Sequence, residues 1–246
     1  MSRTLPSPRA ERRLDRDLLR SWPLPSDAEQ DKRGRGTVLV VGGSAATPGA
    51  VLLAATAALR VGAGRLQIAT AAEVVTAVAV AMPEALVVAI DGPELADLLA
   101  TADAVAVGPG LRDEEAAADL LALAASRAPA TAPLVVDALA LRALARGLGG
   151  ERAHLVLTPN REELAELVGT DDHDDPSRAA ALRYGAAVVC FERVVTPDGD
   201  VYVDDHAVAG LGTSGAGDVL AGAVAGLAAR CGDGPRAAAW GAAAHL

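Results

Sequence analysis

Aromatic residues are scarce in this chain: Phe, Trp and Tyr together make up 2% of its 246 residues. Hydrophobic residues still account for 51%, so the core must be packed mainly from Ala, Val and Leu. Such side chains suit helices that lie closely on a parallel sheet. So few aromatics argue against a base-stacking surface for single-stranded nucleic acid.

Positive charge and cysteine are also sparse. The formal net charge of −10 argues against nonspecific binding of nucleic acid, which needs clustered Lys and Arg. The two cysteines, Cys190 and Cys231, are far apart in apolar or helical contexts, which favours two reduced thiols over a disulfide. The four histidines show no metal-ligand spacing, and the acidic run 171–175 is interpreted as a solvated loop.

No apolar run is long enough to span a bilayer, and the charged stretch 1–30 lacks the apolar region of a signal peptide. These absences predict a cytoplasmic protein without a membrane partner.

The pattern along the chain predicts an N-terminal arm, 1–35, with one short helix around 15–21, and a single α/β domain, 36–246. Continuous apolar strands alternate with helices, which indicates a mostly parallel sheet covered on both faces. A hairpin is expected through Pro197-Asp198-Gly199, and a long helix from Val219. The predicted strands are 37–41, 65–70, 85–90, 104–107, 134–136, 154–157 and 187–190.

The strongest motif is the small-residue run 212–217, which gives way to Asp218 and the last long helix. Backbone amides of residues 214–218 would converge at a helix N-terminus and bind an anion, typically phosphate. A carboxylate beside phosphate cannot bind it, because like charges repel, so its natural role is to take a proton from an attacking hydroxyl. The alternative is that Asp218 only caps the helix.

This motif resembles the anion hole and catalytic aspartate of the ribokinase superfamily. Other motifs, in the same order over roughly 32–245, resemble the ADP-dependent NAD(P)H-hydrate dehydratases. They lie at residues 39–44, 48–50, 59–64, 82–84, 107–111, 136–139 and 157–160. The resemblance implies a ribokinase-like three-layer α/β/α sandwich and repair of hydrated NADH or NADPH with ADP, releasing AMP and phosphate.

The resemblance also implies the site. The residues expected at the hydrate are Ala50, Gly110, Asn160 and Asp218, the last as catalytic base. Those expected at the nucleotide are Ser214, Gly215, Ala216, Gly217 and Arg193, and Glu163 is expected to order Mg²⁺ through water. Bacterial relatives that are oligomers imply a homo-oligomer, with a tetramer as one form.

Local interpretations stay open at three positions. Gly42-Gly43-Ser44 could be a plain strand-to-helix turn, Asp137 could cap the next helix, and Asn160 with Glu163 could be an ordinary helix N-terminus. The chain also departs from the dehydratases at two places. Asn160 stands where they usually carry His, and residues 190–193 (Cys-Phe-Glu-Arg) replace a Lys-Gly pair that holds nucleotide phosphates.

Two other functions therefore remain as alternatives. Asn160 and Glu163 are typical of small-molecule kinases of the same fold, which would phosphorylate a vitamin precursor. The missing Lys-Gly pair fits a nucleotide-binding relative that has lost its chemistry, although an intact Asp218 argues against it.

Overall fold

A single mixed sheet organises the molecule. The computed structural model describes residues 11–25, 34–147, 154–169, 174–204 and 213–245, and its strands lie in the order β1-β10-β9-β8-β7-β6-β5-β2-β3-β4. The strands are β1 (Arg12–Arg13), β2 (Thr37–Val41), β3 (Arg65–Thr70), β4 (Ala85–Ala89), β5 (Ala104–Val107), β6 (Leu134–Val136), β7 (Leu155–Leu157), β8 (Ala187–Cys190), β9 (Arg193–Val195) and β10 (Val201–Val203).

Seven adjacent strands, in the order β8-β7-β6-β5-β2-β3-β4, run parallel to one another. Strand β2 lies between β3 and β5. The chain adds β3 and β4 on one side of β2 and then β5 to β8 on the other, so the strand order reverses between β2 and β5. In such sheets ligands bind beyond the carboxyl ends of the strands, at the point where the strand order reverses. The loops after β2 and β5 are therefore the first place to look for a site.

Helices cover both faces of the sheet, giving three layers. One face carries α1, α2, α3, α9 and α10, and the other carries α4 to α8. The helices are α1 (Arg16–Ser21), α2 (Pro48–Arg60), α3 (Val75–Ala81), α4 (Leu95–Thr101), α5 (Glu114–Arg127), α6 (Leu139–Ala145), α7 (Arg161–Val168), α8 (Pro176–Tyr184), α9 (Ala216–Cys231) and α10 (Gly234–His245).

Helices α2 and α9 touch through their backbones. A Cβ added to Gly222 would lie 2.0 Å from the Ala54 carbonyl oxygen, and one on Gly226 would lie 2.6 Å from that of Ala58. Glycine at these positions lets α9 lie directly on α2, as expected for a core built from small residues. This close packing sets how α9 lies on α2, and it holds the N-terminus of α9 at the carboxyl edge of the sheet.

The described part of the arm lies on the far edge of the sheet. Strand β1 pairs in parallel with β10, Trp22 meets Tyr202 edge to face at 5.3 Å, and the Trp240 indole donates to the Trp22 carbonyl oxygen at 2.6 Å. The division of the chain at residue 35 stays a prediction.

Most predicted elements are present within two residues of their expected ends, and the hairpin expected through Pro197-Asp198-Gly199 is formed by β9 and β10. Three features differ: helix α9 begins at Ala216 rather than Val219, strand β1 was not expected, and β9 also pairs with β8 through a two-residue turn. Within the described ranges, no helix is both long and apolar enough to cross a membrane. Residues 171–173 and Gly212 lie outside the described residues.

Candidate active site

The loops after β2 and β5 are joined by hydrogen bonds. The Gly43 amide donates to the Pro109 carbonyl oxygen at 2.7 Å, and the Thr47 hydroxyl donates to the Gly110 carbonyl oxygen at 2.7 Å. The Ser44 and Thr47 hydroxyls are 2.6 Å apart. Gly42-Gly43-Ser44 begins the connection from β2 to α2, and the hydrogen bonds fix this connection against the loop after β5 at the carboxyl edge.

Ala50 and Gly110, both expected at the hydrate, lie against each other. A Cβ on Gly110 would be 2.7 Å from the Ala50 Cβ and 2.9 Å from the Thr47 carbonyl oxygen, and the φ of Gly110 is +70°. Any larger side chain at residue 110 would strain the backbone and collide with helix α2. The pair therefore forms a close contact between the loop after β5 and the first turn of α2, beside the switch point.

Asp218 lies in the first turn of α9, at its third residue. The helix is capped by Gly215 in a left-handed conformation, without a side-chain cap, so the interpretation of Asp218 as the cap is wrong. The Asp218 Oδ2 lies 4.0 Å from the point that a Gly215 Cβ would occupy. Burial raises the pKa of Asp218 above its usual value, which suits a carboxylate that accepts a proton.

The amides of the expected anion hole are only partly available. The Ala216 amide donates to the Thr213 carbonyl oxygen at 3.2 Å, and the Val219 amide donates to Gly215 at 3.1 Å. The amides of Gly217 and Asp218 occupy the second and third positions of the helix, where no intrahelical acceptor exists. These two amides, with the positive end of the helix dipole, are the best placed to meet an anion.

Asp137 is a member of this site that the sequence left ambiguous. Its side chain follows β6 and is 4% exposed, and its Oδ1 accepts a hydrogen bond from the Thr158 hydroxyl at 2.8 Å. Helix α6 is instead preceded by Ala138, with no side-chain cap, so the capping interpretation of Asp137 is wrong. The available signals were its position directly after a buried strand and its place in the motif at residues 136–139.

The negative charges of Glu163 and Asp218 act on the buried Asp137 carboxylate. Burial raises the pKa of Asp137 to about 7, opposed by the Thr158 hydrogen bond and increased further by the negative charges of Glu163 and Asp218. Burial also raises the pKa of Glu163. Burial and these charges together favour the protonated form of Asp137.

Asn160 and Glu163 form a complete capping box at the start of α7. The Asn160 Oδ1 accepts from the Glu163 amide, and the Glu163 Oε2 accepts from the Asn160 amide, both at 2.9 Å. The interpretation as a helix N-terminus is therefore confirmed. Asn160 is exposed, and the nearby Glu163 carboxylate is coupled to Asp137, so the box also borders the site.

Arg193 lies at the start of β9 with its guanidinium already paired. It contacts the Glu11 carboxylate at 2.7 Å and the Asp175 carboxylate at 2.8 Å. These partners compete with any phosphate for the same donors. The structure thus places Arg193 at the carboxyl edge but does not bring its charge to the α9 N-terminus.

Comparison with known proteins gives one consistent family. A family model described as NAD(P)H-hydrate dehydratase matches residues 38–246. The ADP-dependent (S)-NAD(P)H-hydrate dehydratase of Xanthomonas campestris pv. campestris is 43% identical over 246 aligned residues, covering 92% of this chain and 83% of that protein.

Solved structures agree on the fold. An ADP/ATP-dependent NAD(P)H-hydrate dehydratase from Bacillus subtilis, co-crystallised with ATP/Mg²⁺, matches with a TM-score of 0.78 at 26% identity, covering 96% of this chain and 87% of that one. A ribokinase-like superfamily protein from Enterococcus faecalis matches with a TM-score of 0.80 at 24% identity, covering 89% and 80%. The predicted ribokinase-like three-layer fold is confirmed.

Proposed function

This chain belongs to the NAD(P)H-hydrate dehydratase family, and we propose that it converts (6S)-NADHX and (6S)-NADPHX back to NADH and NADPH. The co-substrate is ADP, and the products also include AMP and phosphate. The chain is accordingly an enzyme, a carbon–oxygen lyase. The observation that carries this proposal is the partly buried Asp218 at the N-terminus of α9, beside the loops at the switch point.

Asp218 acts as the catalytic base. It removes the proton of the C6 hydroxyl while that oxygen attacks the terminal phosphoryl group of ADP, and AMP leaves. The Gly217 and Asp218 amides donate hydrogen bonds that stabilise the negative charge on the phosphoryl group. Expulsion of phosphate from C6 and loss of a proton from C5 then restore the ring double bond. The raised pKa of Asp218 makes it a stronger base than an ordinary aspartate.

The hydrate lies on the surface formed by Ala50 and Gly110, with Asn160 at its border. Gly110 and Ala50 carry no bulky side chain, so the tetrahydronicotinamide ring of the hydrate can approach the backbone closely here. Asn160 can donate and accept hydrogen bonds but cannot carry a proton, in contrast to the usual His. Proton transfer therefore rests on the carboxylates.

A magnesium ion fits the donors of this site as a partner of the phosphates. No described cluster of three or more His, Cys, Asp or Glu side chains could hold a metal on its own. Mg²⁺, however, usually takes one or two carboxylates, waters and substrate phosphates. Glu163, through water, would hold it, and the ion would neutralise phosphate charge. The excess negative charge around Asp137 favours a cation here.

The nucleotide lies along the start of α9, against Ser214, Gly215, Ala216 and Gly217. Arg193 contributes to this site only if its guanidinium leaves Glu11 or Asp175, because both carboxylates now occupy its donors. The cytoplasmic location and the homo-oligomer expected from the sequence, with a tetramer as one form, remain proposals.

The test is a direct assay of repair. Purified protein is incubated with NADHX, Mg²⁺ and ADP, and the absorbance of NADH is followed beside an ATP reaction. We expect NADH to accumulate with ADP. Folded protein that forms no NADH with either nucleotide contradicts the proposal, and transfer of phosphate to a stable product would indicate a kinase.

Asp218→Asn tests the catalytic base. The variant should still bind ADP, while kcat falls by at least about a hundredfold because the base is lost. Asp119→Asn, an exposed residue on α5, is the matched control and should retain wild-type kcat. Similar rates for the Asp218 variant and the control would remove Asp218 from the mechanism.

A further inference from the structure

Phe191 adopts a backbone conformation that is unfavourable for its side chain. It is the first residue of the two-residue turn between β8 and β9, since Cys190 pairs with Arg193 across the hairpin, and its φ is 53°. Turns of this length favour Gly, Asn or Asp where φ is positive, because a Cβ then crowds the backbone. Strained residues of this kind concentrate at ligand-binding sites.

Burial does not explain why a phenylalanine is kept there. Phe191 is the only Phe in the chain, and 44% of its surface is exposed. Instead of packing in the core, its ring lies under the Arg161 guanidinium, whose central carbon is 4.9 Å from the ring centroid. Such cation–π contacts hold both groups in a defined orientation.

The pair lies beside the candidate active site. Phe191 directly follows β8 at the carboxyl edge, and Arg161 is the first residue of α7, immediately after Asn160. An exposed aromatic face combined with a cation matches a ligand that has a planar π-system and negative charge. A nucleotide has both, because its base stacks and its phosphates attract guanidinium groups.

We propose that Phe191 and Arg161 form a stacking platform for the base of the nucleoside diphosphate. The inference rests on the proposed function, since ADP is the co-substrate there, and it adds the residues that recognise the base. The phosphates extend from this platform toward the N-terminus of α9. Stacking alone accepts any base, so the platform contributes affinity and not a choice between purines.

Phe191→Gly separates a binding role from a structural one. Glycine relieves the positive φ, so the melting temperature should stay the same or rise. The Kd for ADP, measured by calorimetry, should increase about tenfold, as expected for the loss of one stacked base. Phe191→Tyr keeps the ring and should bind ADP within about twofold of wild type. A residue needed only for folding would lower the melting temperature instead.

Two controls make the result specific. Inorganic pyrophosphate has no base, so its Kd should be the same for wild type and Phe191→Gly. His154 also has a positive φ, 63°, and is exposed just before β7 at the opposite edge of the sheet. His154→Gly relieves the same backbone strain and should leave the Kd for ADP unchanged.

Dehydration of NADHX is measured in parallel, so that the two proposals can fail separately. An unchanged Kd for ADP in Phe191→Gly, or an equal loss of ADP and pyrophosphate affinity, overturns the platform. Weaker ADP binding by this variant, with no dehydration by the wild type, supports the platform and contradicts the proposed function. Wild-type protein that does not bind ADP overturns both.

Discussion

At the scale of single residues, Asp137 is a buried carboxyl group whose ionised form is disfavoured. Its pKa is raised from 3.8 to about 7, chiefly by burial. A carboxyl group whose pKa is higher in the folded state stabilises the fold when protonated. That contribution is complete below about pH 4 and is lost as the pH rises through about 7.

Asp137→Asn should therefore flatten the dependence of stability on pH. We expect wild type to lose about 2–4 kcal/mol of unfolding free energy between about pH 4 and pH 8 through this residue. The variant should lose less and be at least as stable as wild type at about pH 8. Urea unfolding of both proteins at the two pH values measures the difference. Equal losses would show that folding does not raise the pKa of Asp137. Glu163 and Asp218 contribute in the same direction in both proteins.

The residues of the site could be predicted in part. Asp218 follows from the small-residue motif that opens a helix, whereas Ala50 and Gly110 were expected from the family resemblance; the structure brings these two together. Asp137 was ambiguous because a polar residue after a strand also fits a cap; the absence of a side-chain cap on α6 and the Thr158 contact distinguish the two. The pairing of Arg193 with Glu11 joins residues 182 positions apart, which no local pattern could indicate.

At the scale of elements, the contact between α2 and α9 sets the position of the candidate base. Gly222→Ala would place a Cβ 2.0 Å from the Ala54 carbonyl oxygen and force the helices apart. We expect a loss of about 1–3 kcal/mol of unfolding free energy and weaker activity, because Asp218 moves with α9. Thermal and urea unfolding report the first effect, and the NADH assay reports the second.

Gly49→Ala is the matched control for this change. Gly49 lies in the first turn of α2, is exposed, and has no atom within 4 Å of an added Cβ. Alanine there should leave stability unchanged or raise it by less than about 1 kcal/mol. If both variants behave alike, helix propensity rather than close packing controls this pair of helices.

Long apolar strands and periodic helices were predictable because each carries its own pattern. The pairing of β9 with β8 was missed because the turn between them, Phe191-Glu192, contains none of the residues that normally mark a hairpin. Strand β1 consists of two exposed arginines, whose conformation comes only from pairing with β10. The start of α9 was placed too late because Ala216 and Gly217 continue the small-residue motif into the helix.

At the scale of the whole molecule, the arm closes the sheet on the side opposite β4. Trp22→Ala should cost about 1–3 kcal/mol of unfolding free energy, because it removes the ring contact with Tyr202 and the apolar surface buried around it. It should also speed hydrogen exchange at the Leu14 amide, which donates to the Val203 carbonyl oxygen at 2.8 Å. Trp22→Phe should retain most of both properties. An unchanged exchange rate in the alanine variant would show that β1 holds the edge without this ring.

The contact between the arm and α10 has a consequence for tryptophan fluorescence. The chain has two tryptophans, and both lie where the arm meets α10, joined by the hydrogen bond from Trp240 to Trp22. Intrinsic fluorescence is therefore a local reporter of arm docking. On heating, a change in tryptophan emission will report release of the arm. Binding of a nucleotide at α9 will change this emission very little. Phe191→Trp would place a fluorophore at the proposed stacking platform, where nucleotide binding should change its emission.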